Sequence, residues 1–311
     1  MDYLNGKNVI ESSNTIALNF IENPSIFVSN NLSNMPCEMK LHFMSYLDLK
    51  SLLKMKAVNK MSYTTVSKHS NYLAQKKIAD FVIDQTEDGT IKMVLDGSKE
   101  NFLESLEYLE EISKHIQFTG IIYLRRINPD LLTFIPQCNI SSACGIILWD
   151  MYRLEMSVLT HFLSKFNCQY IQMSSTNILG DGDQIVEYMG DYISDLSISE
   201  DCECFLTDKT LQTLSKKSNK GNALNCIKLK SKGAIFSADG IVEFIKNSYF
   251  THQLPQLHIR AVSCSKSDFI EILEDNLLDD VTHYNRTCYQ SVVFQFSHHP
   301  LEIIVKEFVS H

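Results

Sequence analysis

The chain has 311 residues, 44% of them hydrophobic, and a formal net charge of −9. Its length predicts a globular protein with two domains or with one elongated domain. No apolar run approaches the ~18 residues of a membrane span, and the opening residues lack the basic and apolar regions of a secretory signal. We therefore expect no membrane association and no secretion.

Cysteine usage indicates the redox environment. The nine cysteines are scattered along the chain, and no two of them form a CxxC pair. This usage is typical of reduced thiols, so we expect a cytoplasmic and/or nuclear protein.

Short signatures of catalysis and metal binding are missing from the sequence. It contains no GxSxG, GxxxxGK[ST], GxGxxG or HExxH; these motifs mark hydrolases, nucleotide binders and zinc proteases. Cys202 and Cys204 come closest to a zinc pair, but a zinc site needs a wider spacing and a second pair. Residues 180–183, Gly-Asp-Gly-Asp, lack the further ligands of a calcium loop and are better suited to starting a helix at Gln184. We expect no catalytic residue, no metal and no cofactor.

Positive charge is concentrated early in the chain. Between Met35 and Lys77 there are eight lysines, no arginine and two acidic residues, a charge of +6, so the other residues sum to −15. One basic block in an acidic chain argues against general nucleic-acid binding, which needs a broad basic surface. The block could meet an acidic protein or could simply be a solvated helix face.

Residues 1–34 carry no sustained period, and we interpret them as an N-terminal arm. Residues 35–78 predict three short helices: Pro36 suits the entry to the first, Asp48 can cap the second, and the third runs from about Val58 towards Ile78. Three helices in so few residues form a unit that needs packing against something else.

Residues 79–119 predict a hairpin followed by a linking helix. In FVIDQTEDGTIKMVLDG, Asp88-Gly89 is a turn signal between two alternating strands. In KENFLESLEYLEEISKHI, apolar residues recur at helical spacing.

From residue 120 to residue 311 a short apolar-x-apolar strand recurs. The strands begin 24, 25, 25, 31, 30 and 35 residues apart, and most are separated by a stretch of helical character. They are 122–124, 146–148, 171–173, 196–198, 227–229, 257–259 and a longer final strand, 292–296. This period predicts an α+β or α/β fold with an irregular leucine-rich-repeat-like β/α solenoid and a curved parallel sheet. A doubly wound sheet is the alternative, although the polar middle positions of most of these strands favour a sheet with one exposed face.

Alternation along these strands selects candidate binding residues. If the outer residues of each triplet point inward, the middle residue and the one after the triplet face out. The candidates for substrate binding are Tyr123, Arg125, Trp149, Lys228, Lys230, His258 and Arg260. They would suit a partner with an apolar anchor at one end and acidic or phosphorylated residues at the other. If the register of the strands shifted by one residue, these side chains would point into the core instead of outwards.

The block MPCEMKLHFMSYLDLKSLLKMKAVNKMSY resembles an F-box over nearly the whole of that motif. Met35 stands where the family has Leu, and Ser62 with Tyr63 stands where it often has one aromatic residue. The matching positions are Met35, Pro36, Glu38, Met39, Leu41, Phe43, Met44, Ser45, Tyr46, Leu47, Asp48, Ser51, Leu52, Leu53, Met55, Lys56, Val58, Asn59 and Lys60. The texture of the C-terminal part is similar to the associated domains of the large nematode-type F-box families, with HYNRTCYQSVVFQFSHHPLEIIVKEF as the most similar stretch.

The resemblance implies a non-catalytic receptor. F-box domains bind the acidic adaptor subunit of SCF-type ubiquitin ligases and, through it, a cullin, while the second domain binds an unknown protein substrate. The implied adaptor anchors are Pro36, Met39, Phe43, Leu47, Leu52 and Leu53; Phe43 and Leu47 could equally be core residues of the three helices. The alternative is an F-box scaffold or adaptor-binding protein that acts outside the ubiquitin ligase cycle.

Overall fold

The structure is a computed structural model of the chain. The residues it describes are 35–47, 49–58, 60–68, 76–95, 102–103, 116–135, 144–251, 255–277, 281–284, 292–296 and 302–308. The predicted arm, residues 1–34, lies outside these ranges. The fold is mixed α/β with a mainly parallel large sheet, and its contacts divide it into two units, with the main boundary between Lys77 and Ile78.

The described part of the first unit contains three helices, which agrees with the helical prediction for this block. They are α1 (Cys37–Ser45), α2 (Leu49–Val58) and α3 (Lys60–Lys68). Pro36 is the N-cap of α1, and its carbonyl accepts from the N–H of Lys40 at 3.1 Å. The third helix was expected to reach Ile78, but Ile78 lies in a strand of the second unit. The buried core of the three helices consists of Met44, Leu47, Leu52, Met55 and Val66.

The second unit contains a twelve-stranded sheet, which we call the main sheet. Its order is β14-β15-β16-β13-β11-β9-β7-β5-β4-β1-β2-β3. The strands are β1 (Lys76–Gln85), β2 (Ile91–Leu95), β3 (Phe102–Leu103), β4 (Ile116–Arg125), β5 (Gly145–Trp149), β7 (Tyr170–Ser174), β9 (Asp195–Ile198), β11 (Cys226–Leu229), β13 (Gln256–Val262), β14 (Val281–Tyr284), β15 (Val292–Phe296) and β16 (Glu302–Phe308). From β4 to β13 each strand pairs in parallel with the next, in chain order.

A second, four-stranded parallel sheet lies within the same unit, in the order β12-β10-β8-β6. Its strands are β6 (Leu154–Glu155), β8 (Asn177–Asp181), β10 (Glu203–Leu206) and β12 (Gly233–Ala234). The helices of this unit are α4 (Pro129–Phe134), α5 (Met156–Leu163), α6 (Asp183–Tyr188), α7 (Asp208–Lys217), α8 (Ala238–Asn247) and α9 (Lys266–Leu277). Each of them contacts the next helix along the chain.

The same turn recurs at the end of successive strands. Arg126, Asp150 and Ser175 each follow a strand of the main sheet directly, and each has a positive φ, at 53°, 59° and 49°. These three residues are 24 and 25 positions apart, the same spacing as their strands. A left-handed residue is uncommon outside glycine, so its repetition identifies one backbone unit used several times.

Alternation along the strands has the predicted register. In β5, β7, β9, β11 and β13 the outer residues of each triplet are buried and the middle residue is not. Each fully buried aliphatic side chain contributes roughly 1.5–3 kcal/mol to the stability of the fold. A register shifted by one residue would expose all of these side chains and lose their contributions together.

The predicted hairpin is confirmed, with Gln85 paired to Ile91 and Gly89 at a φ of 85° in the turn. The helix predicted to follow the hairpin is wrong at both of the ends that the structure describes. Phe102–Leu103 form β3, paired with β2, and Ile116 begins β4. Residues 104–115 lie outside the described ranges.

The final predicted strand, Val292–Phe296, is present as β15, but the prediction that it continues the parallel row of strands is wrong. It runs antiparallel to its neighbours β14 and β16, and it is β16 that continues the parallel row beside β13. Only five residues separate β15 from β16, and a parallel pair needs a crossover of a dozen or more residues.

Candidate functional site

One face of the main sheet carries the predicted binding residues. The sheet register joins Tyr123, Ile147, Gln172, Ser197, Lys228 and His258 into a single row across six strands. A second row, two residues further along each strand, begins with Arg125, Trp149 and Ser174. Because side chains alternate along a strand, both rows lie on the face opposite the buried core residues.

A pocket of about 270 Å³ lies at one end of this face. It is formed where β1, β4 and β5 run side by side. Its walls include Val82, Asp84, Tyr123, Arg125, Ile147 and Trp149. Apolar and aromatic side chains thus meet one acidic and one basic group here.

Charged side chains hold one wall of the pocket in place. Arg126 donates to both oxygens of Asp84, with Nη2 at 2.9 Å from each and Nε at 3.1 Å from Oδ1. This hydrogen bonding raises the pKa of Arg126. The guanidinium of Arg125 lies 3.8 Å from Asp84 Oδ2 and stacks 4.6 Å from the centre of the Trp149 ring. Asp84 is therefore neutralised by two arginines, one of which positions the indole.

The middle of the face is polar and includes the carboxylate of Asp195, which is paired with Tyr170 in the register and accepts from Ser194 Oγ at 2.6 Å and from Asn225 Nδ2 at 2.8 Å. The Tyr170 hydroxyl donates to Gln172, and Gln172 Nε2 donates to Ser174 Oγ at 3.3 Å. Burial raises the pKa of Tyr170, so its hydroxyl stays protonated at neutral pH. The hydroxyl and amide groups offer hydrogen bonds without charge.

The far end of the face is basic. Lys228 and His258 are paired residues on β11 and β13. Lys230 directly follows β11, and Arg260 lies two residues after His258 on β13. All four side chains are partly exposed. In the described parts of β7, β9, β11 and β13, neither of the two rows contains a carboxylate.

The structure therefore places all seven predicted residues on one face but separates them into two groups. Tyr123, Arg125 and Trp149 line the pocket, and the four basic residues lie at the other end of the rows. Sequence reasoning missed Val82 and Asp84. Their signal was present, because they alternate with the buried Phe81 and Ile83 in the hairpin strand.

The predicted adaptor anchors fall into different environments within the helical unit. Pro36 is exposed, and the Met39 side chain is 57% exposed. Phe43 is half-buried and packs against the core. Leu47 and Leu52 are buried in that core at 4% and 3% exposure, which supports a packing role for them. The Leu53 side chain lies outside the described part of the chain.

Lysines and aromatic rings cover the outside of the helical unit. The side chains of Lys54, Lys60 and Lys68 are exposed, as are Tyr46 and Tyr63. Lys56 is buried instead, with its ammonium group 4.9 Å from the centre of the Tyr63 ring. The tyrosine at the position where the F-box pattern shifts thus holds a lysine in place.

Neither cysteine of the 202–204 pair is exposed. Burial raises the pKa of Cys204 to about 12 and also raises the pKa of Cys202. Among the residues that the structure describes, no group of three or more His, Cys, Asp or Glu side chains is placed to hold a metal ion.

Within the same described ranges, no helix is both long and apolar enough to cross a bilayer. Models of known protein families give no match to the chain. Curated proteins give no match either.

Proposed function

We propose that the chain is the substrate-recognition subunit of an SCF-type E3 ubiquitin ligase and is not itself an enzyme. In this proposal the α1–α3 unit is an F-box that binds the acidic adaptor and, through it, a cullin. The second unit is a leucine-rich-repeat-like β/α solenoid whose exposed sheet face binds a protein substrate. Ubiquitin transfer would be done by the partners, in the cytosol or the nucleus, and the receptor would contribute proximity.

The solenoid interpretation is supported by the repeated backbone unit. Strands β4 to β13 follow one another in chain order, three of the connecting turns share a left-handed residue, and successive helices contact each other. Each unit buries its apolar side against the next, which is the mode of packing expected of a repeat protein.

The F-box interpretation is carried by one observation above all. The residues of the motif form a three-helix unit with a small core, and Pro36 and Met39 at its start remain exposed together with several lysines. An exposed apolar group within a basic surface is complementary to an acidic partner with an apolar groove.

Co-purification of the adaptor tests the proposal. The full chain is co-expressed with a recombinant acidic SCF adaptor, and the Pro36→Ala/Met39→Ala variant is compared with the parent. Both changed side chains are exposed, whereas replacing Leu52 would damage the core. We expect the variant to bind at least about tenfold more weakly, as for central interface residues.

Leu179→Ala is the matched control, because Leu179 is an apolar side chain of similar exposure, 46%, in the second unit. It should retain full adaptor binding. A parent chain that captures no adaptor would refute the F-box assignment.

A further inference from the structure

The exposed face of the main sheet has the dimensions and charge of a site for one kind of peptide. We propose that it binds an extended acidic segment in which an apolar or aromatic residue is separated by four to six positions from a group of Asp or Glu residues. This inference rests on the proposed function, since such a segment would belong to the substrate of the receptor.

The size of the pocket favours a side chain as its occupant. At about 270 Å³, it lies below the roughly 300–1,000 Å³ of pockets that enclose small molecules or cofactors. It opens on a half-exposed indole, with Trp149 at 48% exposure, and Tyr123 and Ile147 supply further apolar surface. One apolar or aromatic side chain of a peptide would fill it.

The charged groups of the pocket already have partners, which favours an apolar anchor. Asp84 is bound by Arg126 at 2.9 Å and approached by Arg125 at 3.8 Å, so its carboxylate is already paired. Arg125 in turn stacks on Trp149. Burying an unpaired charged side chain here would cost more than an apolar contact.

The positive charge at the other end of the face favours acidic residues in the part of the peptide that lies there. Lys228 on β11 pairs with His258 on β13, Lys230 directly follows β11, and Arg260 lies two residues after His258 on β13. Between them and the pocket, the two rows carry Gln172, Ser174, Ser197 and Ser199. Two carboxylates lie nearby, Asp195 beside Tyr170 and Asp201, which is bound by Ser175 and Ser199. Carboxylates of a peptide are the groups complementary to the basic end, although the chain as a whole is acidic.

Strand spacing sets the distance between the anchor and the acidic group. Trp149 on β5 is three strands from Lys230, which directly follows β11, and four strands from Arg260 on β13. At ~4.8 Å per strand this distance is about 14–19 Å, and an extended peptide advances ~3.3 Å per residue. The two groups are therefore four to six residues apart in a peptide that crosses the strands.

Two peptides of identical composition test this spacing on the full chain. The probe EEESSSFSSSEEE has glutamates four to six positions from Phe in both directions, and the control SSSEEEFEEESSS has them one to three positions away. Binding is measured by anisotropy of dye-labelled peptide. We expect the probe to bind at least about fivefold more tightly than the control, and binding to weaken as salt increases. Equal binding of both peptides, or no binding, would overturn the inference.

Variants locate the site on this face. Lys228→Gln/Lys230→Gln should weaken probe binding about tenfold, whereas Lys232→Gln should not, because Lys232 is exposed near the second sheet beside Glu203. Trp149→Ala should weaken binding of the probe and should make Phe→Ala in the probe nearly neutral. Equal effects of Lys228→Gln/Lys230→Gln and Lys232→Gln would place binding elsewhere.

Two further measurements distinguish failure of this inference from failure of the proposed function. In the first, the glutamates of the probe are replaced by phosphoserine. If only this phosphorylated peptide binds, the face is a site for phosphorylated segments, and the carboxylate assignment is overturned. Adaptor binding is measured in the same samples. Adaptor capture without probe binding overturns only this inference, whereas probe binding without adaptor capture overturns only the ligase proposal.

Discussion

Two carboxylates join successive helices of the second unit. Asp183, at the start of α6, is 4% exposed and accepts from Thr207 N at 2.8 Å and from Thr207 Oγ1 at 2.5 Å, and also from the Thr210 hydroxyl. Thr207 is the N-cap of α7. Asp208, the first residue of α7, does the same for Ser237, the N-cap of α8, at 2.8 Å and 2.5 Å. The acidic residue that begins one helix thus fixes the start of the next.

We expect Asp183→Ala to destabilise the chain by roughly 3 kcal/mol, because it leaves the buried Thr210 hydroxyl and the donors of the N-cap Thr207 without this acceptor. Asp183→Asn keeps one acceptor oxygen and should cost about 1 kcal/mol. Urea unfolding followed by fluorescence of the single tryptophan measures both. Asp191→Ala removes the carboxylate of an exposed residue, and its partner Lys217 keeps a hydrogen bond to the Met189 carbonyl at 2.7 Å. It should change stability by less than about 0.5 kcal/mol. Equal losses in Asp183→Ala and Asp191→Ala would refute this role of Asp183.

Asp201 predicts a dependence of stability on pH. Partial burial alone would raise its pKa, but hydrogen bonds from Ser175, at 2.6 Å, and from Ser199 outweigh it and lower the pKa from 3.8 to about 2. The charged carboxylate therefore stabilises the folded chain above about pH 4, and this contribution disappears as the pH falls towards 2.

Asp201→Asn should accordingly lower the free energy of unfolding at pH 6, and its difference from the parent should shrink at pH 3. Urea unfolding at both values gives this difference. A difference that does not change with pH would mean that Asp201 has an ordinary pKa in the folded chain.

At the scale of elements, the sequence contains enough information for the main-sheet strands from β4 to β13 and too little for the second sheet. Each of those main-sheet strands has one buried face, so a period of two residues fixed which side chains point outwards. The strands β6, β8, β10 and β12 have two to five residues and pair with partners more than 20 residues away. Leu154 of β6 and Phe205 of β10 each begin a stretch of helical character in the sequence, which hides the strand.

Long-range contacts explain what else the sequence did not predict. The Arg126–Asp84 ion pair joins residues 42 positions apart, and nothing in the local pattern of either residue indicates it. The same holds for Phe102–Leu103, whose local helical period gave way to pairing with the edge of β2. Pairing with a neighbouring strand overrode local preference at these positions.

Thiol reactivity tests the packing of the second sheet. Burial raises the pKa of Cys168 and of Cys204 to about 12, whereas Cys144 is exposed. Since the thiolate is the reactive form, alkylation of the native chain at pH 8 should be at least about 100-fold slower at Cys168 and Cys204 than at Cys144. Peptide mass spectrometry after timed iodoacetamide treatment gives the rates. Labelling of Cys204 as fast as that of Cys144 would show that the inner face of β10 is open to solvent.

At the scale of the whole molecule, the two units have separate tasks in the proposed receptor. The basic helical unit offers exposed apolar and lysine side chains, and the sheet face of the second unit offers a pocket and a basic end. Local excess of charge, rather than the net charge of −9, decides which partners each surface attracts. A change to one surface should therefore leave binding at the other intact.

Affinity capture of the tagged full chain from cells treated with a proteasome inhibitor tests this account most directly. Mass spectrometry should find the adaptor and a cullin in near-equal amount with the chain, together with at least one protein that accumulates only under the inhibitor. Trp149→Ala should lose that protein and keep the adaptor, whereas Pro36→Ala/Met39→Ala should lose the adaptor and keep that protein. Capture of the chain without adaptor or cullin would contradict the proposed function.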